Sequence, residues 1–238
     1  MSKNEETDII DLVNGEIVQA AELNIDPTEN INWNDWDVNT PAVRTAASKA
    51  LRLLKERGIM TMDSLLPLCE SLLDTGQWPH RTIAFQWSFS LKKQFQPRHF
   101  AFLDGWVNTY LHSWGSCDDL CTHSMGYFLM KHPQFVESVK KWVQPDNPYV
   151  RRAAAVSFIY ALRKGKLFEH IFDISDNLMH DTHHHVLKGY GWMLKEATLY
   201  FMNDVFEYVM ENKEHMPRLS LRYAIEKMPK DMRKKAMA

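Results

Sequence analysis

The sequence predicts an all-α protein. Glycine is scarce, with 9 residues among 238, and runs of β-branched residues are absent. From about Pro41 to the end, the apolar residues recur three and four positions apart. This spacing places apolar side chains on one face of a helix, whereas a half-buried strand needs strict alternation. We therefore expect helices that pack against one another, with no central sheet.

Proline and glycine indicate where the first helix of the main body begins and ends. Pro41 stands where a first helical turn tolerates proline, and Gly58 is a typical helix stop. The apolar stripe between them consists of Val43, Ala47, Ala50, Leu51 and Leu54. The same period predicts further helices over residues 62–73, 79–93, 97–112, 116–130, 133–143, 148–164, 167–179, 183–199, 202–210 and 217–228.

The connections between these segments predict how the helices are arranged. Several segments carry a proline at or near the first helical position, and the gaps are short, so neighbours should pack antiparallel as hairpins. Residues 147–162 combine a turn, Val-Arg and a run of small residues, which is typical of HEAT-type repeats. We expect HEAT-like helical-hairpin repeats that form a curved solenoid with a concave basic groove.

Charge divides the chain into two parts. Residues 1–40 hold one basic and ten acidic residues, a net charge of −9, whereas residues 41–238 hold 27 basic and 20 acidic residues, a net charge of +7. We expect an acidic N-terminal helix and linker over 1–37 and a repeat domain over 38–238. A basic body suits a polyanionic partner, although the same charge also serves solubility.

Other features of the composition predict a cytoplasmic protein with no membrane segment. The first ten residues are polar and acidic, unlike a secretory signal, and no run of 18 apolar residues occurs. Cys69, Cys117 and Cys121 lack the spacing of a zinc module or a disulfide framework. A chain of this length can build its core by packing alone, without a disulfide or a metal. We also expect no cofactor and a monomer.

Residues 113–129 contain the first candidate site. Ser116 is a plausible N-cap, which would place Cys117, Asp118 and Asp119 in the first helical turn. Carboxylates are favourable there because of the helix dipole, so one interpretation is a capped helix with two complementary acids. In that interpretation Trp114 is a core residue that packs like a hydrophobic staple.

A pair of arginines forms the second candidate. The helix that carries Arg151 and Arg152 has an apolar stripe made of Val150, Ala154, Phe158 and Leu162. At about 100° per residue, Arg152 points away from this stripe and Arg151 flanks it. An outward guanidinium is either a solvated group or a phosphate contact, because its planar fork can bond two oxygens at once.

The third candidate surrounds Trp192. Gly189 and Gly191 flank Tyr190 inside a helical pattern, and each costs about 0.8–1 kcal/mol relative to alanine, which calls for a reason in packing or access. Small neighbours leave Trp192 room to project. A tryptophan in a helix is either a core residue or, when exposed, a platform for a base or sugar.

A histidine cluster precedes Trp192. His180 and His184 are one turn apart and could share a metal ion, with His183 and His185 alongside. Because no acidic residue or cysteine has supporting local spacing, we expect no metal. Cys117 and Cys121 lack a second pair and are expected to be buried thiols. No phosphate-binding glycine loop, GxSxG elbow or Cys-His signature supports phosphoryl or acyl transfer.

Four motifs, in order over residues 38–228, resemble those of the AlkD-like DNA alkylation repair family, bacterial glycosylases built from HEAT-like repeats. They read Trp114-Gly-Ser-Cys-Asp118, Asn147-Pro-Tyr149-Val-Arg151-Arg152-Ala-Ala, Lys188-Gly-Tyr-Gly191-Trp192-Met-Leu-Lys195-Glu196, and Leu219-Ser220-Leu-Arg222-Tyr-Ala-Ile225. Two departures are Lys195, where the family often has arginine, and the triple histidine at the start of the Trp192 helix.

The resemblance implies a monofunctional DNA glycosylase of base excision repair, a hydrolase that acts on N3- or N7-alkylated purines in double-stranded DNA. It implies that Asp118 is the catalytic carboxylate, that Arg152 is a phosphate clamp, and that Trp114 and Trp192 are aromatic walls. The expected additional DNA contacts are Arg151, Lys188, Lys195 and Arg222.

The chemistry of such a substrate suits a single acid. An alkylated purine is cationic and already a good leaving group, so one ionised carboxylate can stabilise the oxocarbenium-like sugar and position water. An ordinary sugar glycoside would require two acids. Aromatic faces add a cation–π attraction of about 0.5–2 kcal/mol each.

Two alternatives use the same basic helical body without chemistry. One is a non-catalytic HEAT-like repeat protein that recognises DNA structure. The other is a protein-binding scaffold whose basic body faces an acidic partner, or the chain's own acidic first 40 residues folded over the groove in competition with DNA.

Overall fold

The computed structural model describes residues 3–238, and residues 1 and 2 of the predicted acidic segment lie outside them. All regular structure in this range is helical, and no strand occurs in it, which confirms the all-α prediction. The chain forms two compact units, Met1–Phe95 and Gln96–Ala238. None of the helices in residues 3–238 combines the length and the apolar character that crossing a bilayer requires.

In its described residues the first unit contains four α-helices: α1 (Lys3–Ala20), α2 (Thr40–Glu56), α3 (Met62–Asp74) and α4 (Trp78–Ser90). Helix α1 packs on α2, and α3 and α4 pack on each other. The connection between α1 and α2 is anchored by Trp33, whose buried indole donates a hydrogen bond to Asn14 Oδ1 (3.3 Å). The acidic N-terminal helix is therefore part of the packed first unit.

The second unit carries eleven further α-helices in its described residues. They are α5 (Phe100–Tyr110), α6 (Trp114–Leu120), α7 (Gly126–Lys131), α8 (Val136–Lys140), α9 (Pro148–Val156), α10 (Ile159–Leu162), α11 (Ile171–Leu178), α12 (His184–Ala197), α13 (Met202–Asn212), α14 (Arg218–Ala224) and α15 (Lys230–Met237). Helix α12 packs against α9 on one side and α14 on another, and α9 also packs against α6. This group of four helices positions the candidate site.

Three departures from the predicted helices have local causes. The predicted helix 116–130 begins at Trp114 and is interrupted by a π-helical turn, Cys121–Met125. The predicted helix 148–164 is interrupted after Val156, where the Phe158 amide bonds to the Ala155 carbonyl (3.2 Å), a tighter i→i−3 bond. Helix α15 was not predicted. Only Ala236 is buried in it, so its sequence shows little of the three- and four-residue apolar spacing that indicates a helix.

Cys117 and Cys121 confirm the prediction of buried thiols, and Cys69 is buried as well. Cys69, Cys117 and Cys121 are free and inaccessible to solvent. Burial raises the pKa of the Cys69 and Cys117 thiols above the ordinary value, so both stay protonated at neutral pH. They act as small apolar groups in the core.

Candidate functional site

An ion pair between α6 and α9 lies at the centre of the candidate site. Arg152 Nε donates to Asp118 Oδ1 (2.8 Å), and Arg152 Nη2 donates to Asp118 Oδ2 (2.9 Å). The same guanidinium reaches α12, where Nη1 donates to the carbonyl of His185 (2.6 Å). One side chain thus connects three helices, and its two parallel bonds fix the carboxylate plane.

The prediction that Arg152 points outward is wrong. Its side chain is only 6% exposed, whereas that of Asp118 is 20% exposed. The reason is that α9 packs between α6 and α12, and these helices bury residues outside its apolar stripe, including Arg152. Burial, the largest effect, raises the pKa of the Asp118 carboxyl above its ordinary value, and the bonds and charge of Arg152 oppose this rise.

A capping motif at the start of α6 sets the position of Asp118. Ser113 Oγ accepts from the Ser116 amide (3.1 Å), and Ser116 Oγ accepts from the Ser113 amide (3.2 Å), so the N-cap is Ser113 and the prediction of Ser116 is wrong. No acidic residue lies in the first turn of this helix. Asp118 therefore lies past the first turn, where complementing the helix dipole does not explain it.

The backbone just beyond Asp118 is irregular. Thr122 Oγ1 donates to the Asp118 carbonyl (2.7 Å) at the start of the π-helical turn. Such turns occur often at functional sites, because one extra residue reorients the side chains on either side.

Asp118 and Arg152 face an open cavity of about 430 Å³ within the second unit. Four other residues named from the sequence also line it: Trp114, Lys188, Trp192 and Lys195. Six of the eight predicted site residues therefore converge, although they come from segments up to about 80 positions apart in the sequence.

The two remaining predicted residues lie elsewhere. Arg151 forms an ion pair with Asp181 (2.6 Å). It also donates hydrogen bonds to the carbonyls of Pro145 and Asp146 (2.8 Å each), which stabilise the loop before α9. Arg222 is exposed and lines a neighbouring cleft rather than this cavity.

Trp114 is the most exposed aromatic residue of the cavity. It is 56% exposed, so the interpretation of a buried staple residue is wrong. The cap at Ser113 makes Trp114 the first helical residue, and its ring packs near parallel to the imidazole of His185 (centroids 6.2 Å apart). A large aromatic face is thereby left open to solvent beside the carboxylate.

Trp192 is held from several directions. Its Nε1 donates to Glu196 Oε1 (3.0 Å), one helical turn further along. The guanidinium carbons of Arg152 and Arg163 lie 5.8 and 5.9 Å from the indole centroid, within cation–π range. Its ring is half-buried and lines the cavity, which makes it a preorganised wall.

Two cavity residues were missed by sequence reasoning. His185 was considered only as a metal ligand, yet it shares a helix face with Lys188, Trp192 and Lys195 at three- and four-residue spacings, a signal that could have identified it. Tyr223 lies beneath Lys195, whose Nζ is 5.5 Å from the ring centroid. The Leu219–Ile225 motif indicated this segment, but the residue expected at the site was Arg222. Helix packing places Tyr223 in the cavity instead.

The histidine cluster has a structural role at the start of α12. His183 is the N-cap and accepts from the His185 amide (3.3 Å), while Asp181 accepts from the His183 amide (2.7 Å). Burial lowers the pKa of His183 and His185, so both are mainly neutral at pH 7. No group of three metal-ligating side chains is found in the described part of the chain.

The two glycines of α12 allow close helix contacts. A Cβ on Gly191 would lie 2.8 Å from the Ser220 carbonyl oxygen and from Tyr223 Cβ, and a Cβ on Gly189 would lie 3.1 Å from Arg152 Cγ. The packing reason expected for these glycines is therefore confirmed. Both contacts bring neighbouring helices, and with them Arg152 and Tyr223, close to the Trp192 helix.

The comparison with known proteins gives one result. The sequence model of the DNA alkylation repair enzyme family matches residues 36–228, which include every residue of the cavity. No curated protein matches the chain. Because the family match spans most of the sequence, the chain belongs to the DNA alkylation repair enzyme family and has a role in the repair of alkylated DNA.

Proposed function

We propose that the chain is a DNA glycosylase that hydrolyses the N-glycosidic bond of cationic N3- or N7-alkylated purines in duplex DNA. The observation that carries the proposal is the Asp118 carboxylate, paired with Arg152 and facing a cavity with indole walls. A carboxylate in a partly desolvated cavity acts more strongly on a developing positive charge than one in water.

The proposed reaction needs no general acid. The C1′–N bond breaks with its electron pair going to the purine, which neutralises the positive charge of the alkylated base. Asp118 stabilises the cationic sugar and orients a water molecule, whose oxygen bonds to C1′. The proton released from this water passes to the carboxylate and then to solvent.

The proposed role of Arg152 as a phosphate clamp is compatible with its contacts. A guanidinium has five N–H donors, and three of them are used for Asp118 and the His185 carbonyl. Two donors, one each on Nη1 and Nη2, are left for a phosphate oxygen. Lys188, half-buried in the cavity lining, supplies further positive charge for the backbone, and Lys195, which also lines the cavity, is paired with Glu226.

The aromatic side chains support the choice of a cationic substrate. Trp114 presents an exposed face, and Trp192 is held rigidly, so the two rings can contact a cationic nucleotide on different sides. Each contact is worth about 0.5–2 kcal/mol, whereas a neutral purine gains no such attraction. Substrate charge, rather than base-specific hydrogen bonds, is therefore the proposed basis of selectivity.

The proposal includes the architecture expected from the sequence. Residues 38–238 would form HEAT-like repeats whose concave basic groove holds the duplex, and the protein would act as a cytoplasmic monomer. The packing of α9, α12 and α14, with small residues at the contacts, supports the repeat-like close approach of helices.

The test is base release from methylated duplex DNA. We expect the chain to liberate 7-methylguanine or 3-methyladenine and to leave alkali-sensitive abasic sites, with no release from unmethylated duplex of the same sequence. Chromatography of the free bases measures the yield. Binding of methylated duplex without release of either base would contradict the proposal and favour the non-catalytic DNA-binding alternative.

A further inference from the structure

A second cleft of about 410 Å³ lies beside the cavity, between α14 and α15. The two hollows share α14, since Tyr223 lines the cavity and the adjacent Arg222 lines the cleft. Helix α15 begins at Lys230, beyond residue 228 where the family match ends. The cleft thus extends the candidate site into a part of the chain that the family model does not cover.

The rim of this cleft is strongly basic. It carries Arg222, Lys230, Arg233 and Lys234, all of them exposed and none of them in an ion pair within residues 3–238. Its carboxylate, Glu226, is already paired with Lys195 (3.1 Å). No ion pair in the described part of the chain therefore compensates these four cations, and a bound anion would reduce the repulsion among them.

We propose that this cleft binds the phosphate backbone of duplex DNA next to the lesion held in the cavity. The choice of DNA as occupant rests on the proposed function. Two of the four cations are arginines, whose planar forks match phosphate oxygens, and the lysines add point charges. Contacts of this kind position the duplex and do not read its sequence.

The test measures binding of unmodified duplex DNA as a function of salt. Each phosphate contact contributes about 0.9 to the slope of log affinity against log salt concentration. We expect the double variant Arg233→Gln, Lys234→Gln to lower this slope by about 1.8. The control, Lys164→Gln with Lys166→Gln, removes the same charge from an exposed loop outside the cleft and should leave the slope unchanged.

The outcomes separate the cleft from the proposed function. An unchanged slope in the Arg233, Lys234 variant, or an equal decrease in both double variants, would overturn the cleft as a DNA site while glycosylase activity stands. Failure of the unaltered protein to bind any duplex would count against the proposed function itself. A cleft variant that keeps the salt slope for duplex but loses binding of a polyglutamate peptide would assign the cleft to an acidic protein instead.

A second inference comes from an independent set of contacts around Glu196. This carboxylate is 5% exposed and accepts three hydrogen bonds, from Trp192 Nε1 (3.0 Å), Arg163 Nε (2.9 Å) and Lys227 Nζ (3.1 Å). Burial raises the pKa of Glu196, but the bonds and charge of its partners lower it to about 2. The group is therefore ionised throughout the range in which the protein would work.

We infer that Glu196 is a positioning residue that fixes the plane of the Trp192 indole in the cavity, an inference that rests on the proposed function for its effect on activity. Lys227 bonds the same carboxylate oxygen as the indole, Oε1, and Arg163 bonds the other oxygen, Oε2, so both oxygens are held in place. The indole N–H then has one bonded orientation rather than a range of rotamers. A ring held in this way presents a fixed face to the nucleotide.

The indole N–H signals in a nitrogen–proton correlation spectrum test this inference. In Glu196→Ala we expect the Trp192 signal, assigned with Trp192→Phe, to move upfield and exchange faster with solvent, whereas Glu196→Gln retains an acceptor and largely restores it. Trp87 and Trp142 donate to Ala47 and Asp104, and their signals serve as internal controls.

The kinetic readout accompanies the spectrum. We expect about a tenfold lower rate constant for base release at saturating DNA in Glu196→Ala, because misorientation of a positioned group is costly even without loss of binding. The control Glu207→Ala removes an exposed carboxylate of α13 that lines neither the cavity nor the cleft. An unmoved Trp192 signal in Glu196→Ala would overturn the inference, and so would equal changes at all three tryptophans.

Discussion

Replacement of Asp118 by asparagine is expected to reduce base release about 1,000-fold while duplex binding persists. The asparagine keeps the size of the side chain but removes the negative charge that stabilises the cationic sugar, and loss of one such preorganised group costs about 100- to 1,000-fold. Single-turnover release of 7-methylguanine measures the rate, and a gel shift or anisotropy titration measures binding.

The matched control for this substitution is Asp119→Asn. Asp119 is the next residue of α6, carries the same charge, and lies outside the cavity lining. We expect it to release bases at close to the unaltered rate. Full release by Asp118→Asn, or an equal loss in the two variants, would contradict the assignment of Asp118 as the catalytic carboxylate.

Replacement of Arg152 by methionine is expected to lower the free energy of unfolding by about 3–5 kcal/mol. Methionine fills much of the volume but leaves the partly buried Asp118 carboxylate without its partner, which is the costly way to break an ion pair. The double variant Asp118→Asn, Arg152→Met removes both charges, so we expect it to recover most of this loss. Urea titration of the four proteins in the double-mutant cycle measures the coupling.

An exposed ion pair of the same length provides the control. Arg57 donates to Asp8 at 2.8 Å, but both side chains are at least half exposed, so Arg57→Met should cost no more than about 1 kcal/mol. A loss in Arg152→Met as small as that in Arg57→Met would contradict the structural role of the buried pair.

The sign of the pH dependence follows from the burial of Asp118. Burial already raises the pKa of this carboxyl, and the loss of Arg152 removes the main opposing effect, so the pKa rises further. A carboxyl with a raised pKa takes up a proton as the pH falls, which removes the buried charge. The stability deficit of Arg152→Met is therefore expected to be larger at pH 8 than at pH 5.

Much of the secondary structure could be predicted from the sequence because helix formation depends on neighbours three and four positions away. Apolar spacing and prolines located α2, α3 and α13 to within two residues at each end, as Met62–Asp74 shows against the predicted 62–73. Helices α6 and α15 differ from the prediction for local reasons that apolar spacing does not reveal. The Ser113 cap extends α6 by two residues, and α15 buries too little apolar surface to produce a period.

The order of the motifs identified Trp114, Asp118, Arg152 and Trp192 as candidate site residues. All four line one cavity in the structure. The sequence by itself thus determined an all-α fold, the approximate helices and the family's set of candidate residues. It did so because local spacing and motif order are properties of a linear chain.

Only the tertiary structure decided what these residues touch. Arg152 is turned inward because α9 is packed on both sides, and it binds a carboxylate 34 positions away, while its neighbour Arg151 pairs with Asp181. Tyr223 rather than Arg222 faces the cavity, since Gly191 lets α14 approach α12 closely. Which side of a helix meets a partner depends on contacts between distant segments, and the period of a single helix carries no information about them.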